Sequence, residues 1–126
     1  MYIEDYIQKL KDVITSSREI GYEKVNIEVR SIFAGKIKGE LVFKDNSKLC
    51  FTEIVDVEKE IKKFRYTYKY IKDEKEIFRY DNAPHHRELT NFPHHKHIGT
   101  GIVACPEPNL KRILSEINLF ILKSKL

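Results

Sequence analysis

Phe64-Arg65-Tyr66-Thr67-Tyr68-Lys69-Tyr70 alternates an aromatic ring with a polar or basic side chain at every step. A period of two marks a strand, because successive side chains of extended backbone point to opposite faces. The spacing predicts Phe64, Tyr66, Tyr68 and Tyr70 on one face of a sheet and Lys63, Arg65, Thr67 and Lys69 on the other. Aromatic residues favour half-buried strand positions, so the ring face is expected to pack beneath a helix.

Reading outward toward the C-terminus, Lys72-Asp73-Glu74-Lys75 is a polar turn into a short strand from Glu76 to Asp81, which ends at Asn82-Ala83-Pro84. Toward the N-terminus a strand from Lys48 to Val57 follows Asp45-Asn46-Ser47, residue types whose side chains bond their own backbone in turns. Before it, Ile37 to Phe43 alternates, Ala34-Gly35-Lys36 is a second turn, and Val25, Ile27, Val29 and Phe33 alternate with Asn26, Glu28 and Arg30. Connections this short join antiparallel neighbours and cannot join parallel ones.

Helical spacing bounds the strands at both ends. Ile3, Tyr6, Ile7, Leu10, Val13 and Ile14 recur at steps of three and four, with Gly21 as the expected stop. After Pro108-Asn109, Leu110, Ile113, Leu114, Ile117, Phe120 and Ile121 do the same. The expected fold class is α+β: an antiparallel meander of about five to six strands, with the N-terminal and C-terminal amphipathic helices packed on one face. At 126 residues, one domain spanning 1–126 is expected.

Composition narrows the class further. The chain is 41% hydrophobic and 33% charged, which excludes disordered and fibrous types. No stretch reaches the ~18 apolar residues of a membrane span, and the acidic start Met1-Tyr2-Ile3-Glu4-Asp5 is unlike a signal peptide, so a cytoplasmic protein without membrane contact is expected. Cys50 and Cys105 stand apart in no metal or redox spacing, and Cys50 reads as a buried free thiol. A net charge of +4 suits an acidic or nucleic-acid partner without requiring one.

From Pro84 to Pro108 the chain reads as irregular for about twenty residues, an uncommon length that is often functional. Tyr80-Asp81-Asn82-Ala83-Pro84-His85-His86 opens it, and Phe92-Pro93-His94-His95-Lys96-His97 follows after five residues. All five histidines of the chain lie in these two runs. Histidine can carry a proton near neutral pH or bind a transition metal, although histidines can also simply pack and cap a structured loop.

These two runs, YDNAPHH and FPHHKH, resemble TumE-type proteins, the toxin halves of prokaryotic two-gene toxin-antitoxin systems. The tyrosine-rich strand and its turn into Ile77-Phe78-Arg79-Tyr80 are similar to the family as well. Arg87 departs from the pattern, which has proline after the paired histidines. The resemblance implies a small growth-inhibiting protein held inactive by an antitoxin that resembles a helix-turn-helix DNA-binding protein.

Residue chemistry allows three readings. The first is a ribonuclease that needs no metal and no cofactor, with a base for the ribose 2′-hydroxyl, an acid for the leaving oxygen and a cation for the phosphorane. If Pro93 to His97 is extended, His95 and His97 share one side and His94 and Lys96 the other. His95 and His97 could then divide acid and base work, with His85 and His86 as further candidates. Lys96 or Arg79 would hold the phosphate, Tyr80 would stack on a base or donate its hydroxyl, and Lys63, Arg65 and Lys69 would hold the RNA backbone.

The second reading is a divalent transition metal held by Asp81, by His85 or His86, and by two of His94, His95 and His97, with Asp81, His85, His94 and His97 as the leading set. The third is a loop that only binds, to the antitoxin or to nucleic acid. Leu119 and Leu122 widen the apolar stripe of the last helix, where a homodimer or antitoxin contact is expected.

Overall fold

The computed structural model describes residues 1–84 and 94–126. In chain order the elements are α1 (Ile3–Thr15), β1 (Ile20–Val29), β2 (Ala34–Phe43), β3 (Lys48–Asp56), β4 (Lys62–Lys72), β5 (Lys75–Asp81), β6 (His95–Ile98), β7 (Gly101–Ala104) and α2 (Leu110–Ser124). The strands form one sheet in the order β1 to β7, and every neighbouring pair is antiparallel. The α+β meander is as expected, with seven strands rather than five or six. The added pair, β6 and β7, forms a hairpin in the segment that reads as irregular. Four residues are too few for an alternation to stand out from the prolines and glycines around them.

Both helices cover the same face. Ile3, Tyr6, Leu10 and Ile14 of α1 and Ile113, Leu114, Ile117 and Ile121 of α2 join Leu41, Leu49, Phe51, Tyr66, Tyr68, Tyr70 and Phe78 of the sheet in one buried cluster. Each such side chain taken from water stabilises the fold by roughly 1.5–3 kcal/mol before entropy is counted. Asn109 caps α2, its side chain accepting the Arg112 backbone N–H at 2.9 Å. The ring of Phe51 lies against Gly39, where an added Cβ would fall 2.3 Å from a ring carbon, so this strand position tolerates only glycine without repacking.

Three local expectations shift. α1 ends at Ser16, and Gly21 lies inside β1 beside a register shift rather than at a helix stop. The first hairpin turns through Arg30 to Phe33, with Ala34 already in β2. Cys50 is half-buried on the face away from the helices, opposite Glu40 and Lys69, and is not a core thiol. The turn from β4 to β5 places Asp73 and Glu74 at φ 52° and 63°, the left-handed pair required by a two-residue turn that follows the twist of its strands.

A larger correction concerns Lys63. Ile54 pairs with Arg65 but Val55 pairs with Lys63, so β4 carries one extra residue, Phe64, at a bulge. One residue of slip exchanges the faces of everything beyond it. Phe64 is therefore exposed and Lys63 buried, the reverse of strict alternation. The buried lysine answers a buried carboxylate. Glu53, fully buried on the core face of β3, accepts hydrogen bonds from the hydroxyls of Tyr6 and Tyr68. Lys63 Nζ lies 3.9 Å from Glu53 and donates to Tyr68 Oη at 2.9 Å and to the Pro108 carbonyl at 2.7 Å. Charges removed from water are tolerable only when bonded in this way.

Candidate functional site

β5 and β6 build the site through their register. Asp81 pairs with His95, Tyr80 with Lys96 and Arg79 with His97. Alternation then sorts these six residues between two faces. Arg79, Asp81, His95 and His97 lie on the face that the helices leave open, and Tyr80 and Lys96 lie on the covered face. The expected pairing of His95 with His97 and of His94 with Lys96 is what the structure shows.

Asp81 is the hub of the open-face group. His95 Nε2 stands 2.7 Å from Asp81 Oδ1, and His97 Nε2 stands 3.3 Å from Asp81 Oδ2. Arg79 Nε donates to Asp81 Oδ2 at 3.2 Å, and another guanidinium nitrogen, Nη1, donates to Glu76 Oε1 at 3.0 Å. The two imidazoles meet edge to face with centroids 4.9 Å apart. Asp81 and His95 are buried, whereas His97 and Arg79 are partly exposed. Burial lowers the pKa of His97 from its ordinary value, and the nearby Arg79 guanidinium lowers it further against the opposing pull of Asp81.

The strand end is held in place by local bonds. Asp81 Oδ1 accepts the Ala83 N–H at 3.0 Å, the turn that Asp81-Asn82 leads one to expect. The Asn82 side chain bridges to β4, accepting from the Tyr66 N–H at 2.9 Å and donating to the Phe64 carbonyl at 3.0 Å.

On the covered face, Tyr80 Oη donates to Glu116 Oε1 of α2 at 2.5 Å, and Lys96 Nζ donates to Glu116 Oε2 at 2.6 Å. Lys96 also lies 4.8 Å from the centre of the Tyr80 ring. Burial opposes the charge of Lys96, but hydrogen bonds with Glu116 and Tyr80 outweigh it and hold the pKa above its usual value. Burial and the bond to Glu116 raise the Tyr80 pKa. These residues form a strut between sheet and helix, and the sheet separates them from the histidine pair. His94 is also apart: it stacks on Tyr66 with centroids 5.9 Å apart, and its Nδ1 is 2.8 Å from Tyr66 Oη.

Of the residues expected to bind a metal, Asp81 and His97 come together, His94 does not, and His85 lies outside the described residues, as do His86 and Arg87. Of the three clustered histidines, His95 and His97 are the two that meet Asp81. The donor atoms of Asp81, His95 and His97 all lie within 4.8 Å of one another, a carboxylate and two imidazoles. Three such ligands with a remaining open position suit a catalytic zinc or similar ion. Of the expected backbone-binding lysines and arginine, Arg65 and Lys69 are on the open face and Lys63 is not.

Sequence reasoning missed Glu53, Glu76 and Glu116. Glu53 did carry a signal, an acid at the apolar parity of Leu49, Phe51 and Val55. Glu116, half-buried on α2, carried none.

Among the described residues no helix is long and apolar enough to cross a membrane. No curated protein and no solved structure gives a significant match to the chain. A family model described as Toxin TumE matches residues 7–121, extending well beyond the histidine runs to take in most of α1, the whole sheet and most of α2. The chain belongs to the TumE toxin family.

Proposed function

We propose that this protein is the toxin of a two-gene toxin-antitoxin system and that it inhibits growth by cleaving RNA at Arg79, Asp81, His95 and His97, without a metal. One observation carries the reading: two imidazoles and a guanidinium converge on the single carboxylate of Asp81 on the face of the sheet opposite the helices. His97, the more exposed imidazole, takes the proton of a ribose 2′-hydroxyl as that oxygen attacks the adjacent phosphorus. The bond from phosphorus to the 5′-oxygen breaks, and His95 supplies the proton that the leaving oxygen requires. The products are a 2′,3′-cyclic phosphate and a 5′-hydroxyl, and Arg79 meets the charge that builds on the phosphorane. Asp81 orients both rings.

In this reading the protein is held inactive by an antitoxin that resembles a helix-turn-helix protein and is encoded beside it; membership of a toxin family supports an antitoxin partner. A cytoplasmic site of action follows from an RNA target.

A second reading has its own support in the close donor set of Asp81, His95 and His97, which fits a divalent transition metal serving a hydrolase. One experiment separates the readings. RNA is incubated with purified protein in the presence and absence of a chelator, while growth inhibition is followed for the His95→Ala, His97→Ala double variant. Cleavage that survives chelation supports the metal-free reading, and cleavage that chelation abolishes and zinc restores supports the other. Undiminished growth inhibition by a folded double variant would sink both and leave a binding role for this surface.

A further inference from the structure

We infer that the open face of the sheet, from β1 to β5, is a track for single-stranded RNA that leads across the strands into the Asp81 cluster. The inference rests on the ribonuclease reading for its choice of occupant. Two rows of directly opposed residues cross this face. One runs Asn26, Lys38, Thr52, Thr67, Asp81 and His95, and the other runs Lys24, Glu40, Cys50, Lys69, Arg79 and His97. The rows are neighbours, and both end in the candidate site.

Between β1 and β4 the rows enclose a groove of about 360 Å³, lined by Lys24, Lys38, Lys69, Asn26, Thr52 and Thr67 among others. Three ammonium groups therefore face one carboxylate there, that of Glu40. Among the described residues none of the three lysines has a carboxylate within ion-pair distance. A strand face held only for solubility intersperses the two signs and pairs them across strands. Glu40 stands opposite Lys24 in the ladder, but Lys38 and Lys69 have no acid directly opposite them, and this excess of cations in a groove flanked by hydroxyl and amide groups fits a phosphodiester backbone.

Tyr22 adds an aromatic platform. It shares the strand parity of Lys24 and Asn26, is more than half exposed, and stands opposite Val42, one same-face step along β1 from the Lys24–Glu40 pair that lines the groove. An exposed ring beside a cationic groove stacks a base without reading its identity, which favours a single strand over a duplex. The track is thus expected to bind with little sequence preference, leaving any selection to the cluster.

The test uses the full chain and a fluorescent single-stranded 2′-O-methyl RNA oligonucleotide, which has no free 2′-hydroxyl to attack. Anisotropy is measured over a salt series. The variant Lys24→Gln, Lys38→Gln, Lys69→Gln is expected to bind about tenfold or more weakly and to flatten the logarithmic salt slope by about 2, since each single-strand phosphate contact contributes about 0.7. Tyr22→Ala is expected to weaken binding at an unchanged slope. A control of equal charge change, Lys9→Gln, Lys11→Gln, Lys125→Gln, lies on the helical side and is expected to bind as wild type.

Wild-type affinity and slope in the groove variant would overturn the inference. So would an equal loss in the control, or displacement of the oligonucleotide by polyglutamate at equal charge, which assigns the groove to an acidic protein. Oligonucleotide binding by the groove in a protein that cleaves no RNA upholds the track and removes the ribonuclease reading. RNA cleavage in a protein whose groove variant binds as wild type does the reverse.

Discussion

His95 and Asp81 are directly opposed residues of the β5–β6 ladder, and His95 Nε2 lies 2.7 Å from Asp81 Oδ1 with both side chains buried. The contact is set by backbone register, so the cluster is presented by a sheet and not by a free loop. Strand placement holds a proton-transfer group more tightly than loop placement does.

Asp81→Asn keeps the size of the side chain and an oxygen for the Ala83 N–H but removes the charge that orients both imidazoles. RNA cleavage and growth inhibition are expected to fall by about 100-fold or more. Circular dichroism, measured alongside, is expected to match wild type. Full activity in the asparagine variant would remove Asp81 from the mechanism.

Tyr80→Phe and Lys96→Ala act on the other side of the sheet. Tyr80→Phe loses the hydrogen bond to Glu116 and is expected to cost about 1 kcal/mol in urea unfolding. The cleavage rate per folded molecule is expected to be unchanged to within a small factor for both variants. A rate loss as large as that of Asp81→Asn would mean that these side chains reach the substrate after all.

Glu53→Leu strands the Lys63 ammonium in the core without its carboxylate. The expected loss is about 3–5 kcal/mol of stability, read from denaturant midpoints. Adding Lys63→Met is expected to recover much of it, because the pair is then replaced by apolar atoms. A double variant as unstable as the sum of the singles would show that the two charges do not couple.

Alkaline unfolding should be cooperative. Burial raises the pKa of Tyr6, Tyr66 and Tyr68 above the ordinary 10.0, and Glu53 raises those of Tyr6 and Tyr68 further. A raised folded-state pKa contributes stability that is complete below pH 10 and is lost as pH climbs past it, because the unfolded chain releases protons that the folded chain keeps. Lys63, lowered by burial, contributes with the opposite sign as pH rises toward 10.5, so the loss above that range belongs to the tyrosines. Tyrosinate absorbance is expected to rise in one step with the loss of circular dichroism. Gradual titration of all the tyrosines in a still folded chain would contradict this.

Much of the architecture could be read from local pattern. The rings of Tyr66, Tyr68 and Tyr70, the turn at Asp73-Glu74 and the two apolar helical stripes each state their structure within a few residues, because side-chain direction follows backbone period. The split of His95 and His97 from His94 and Lys96 was legible for the same reason. The β6–β7 hairpin was not, since its two strands are only four residues each.

The sequence by itself determined the meander, the helices at its ends, the face shared by His95 and His97, and, through its histidine runs, the likeness to the family. Tertiary structure decided what those side chains meet. Register across β5 and β6 chose Asp81 as the common partner and sent Tyr80 and Lys96 to Glu116 of α2, while a bulge at Phe64 turned Lys63 into the core toward Glu53. Period and propensity act over a few neighbouring residues, but register, bulges and buried charge pairs depend on strands and helices far apart in the chain, and only packing brings those together.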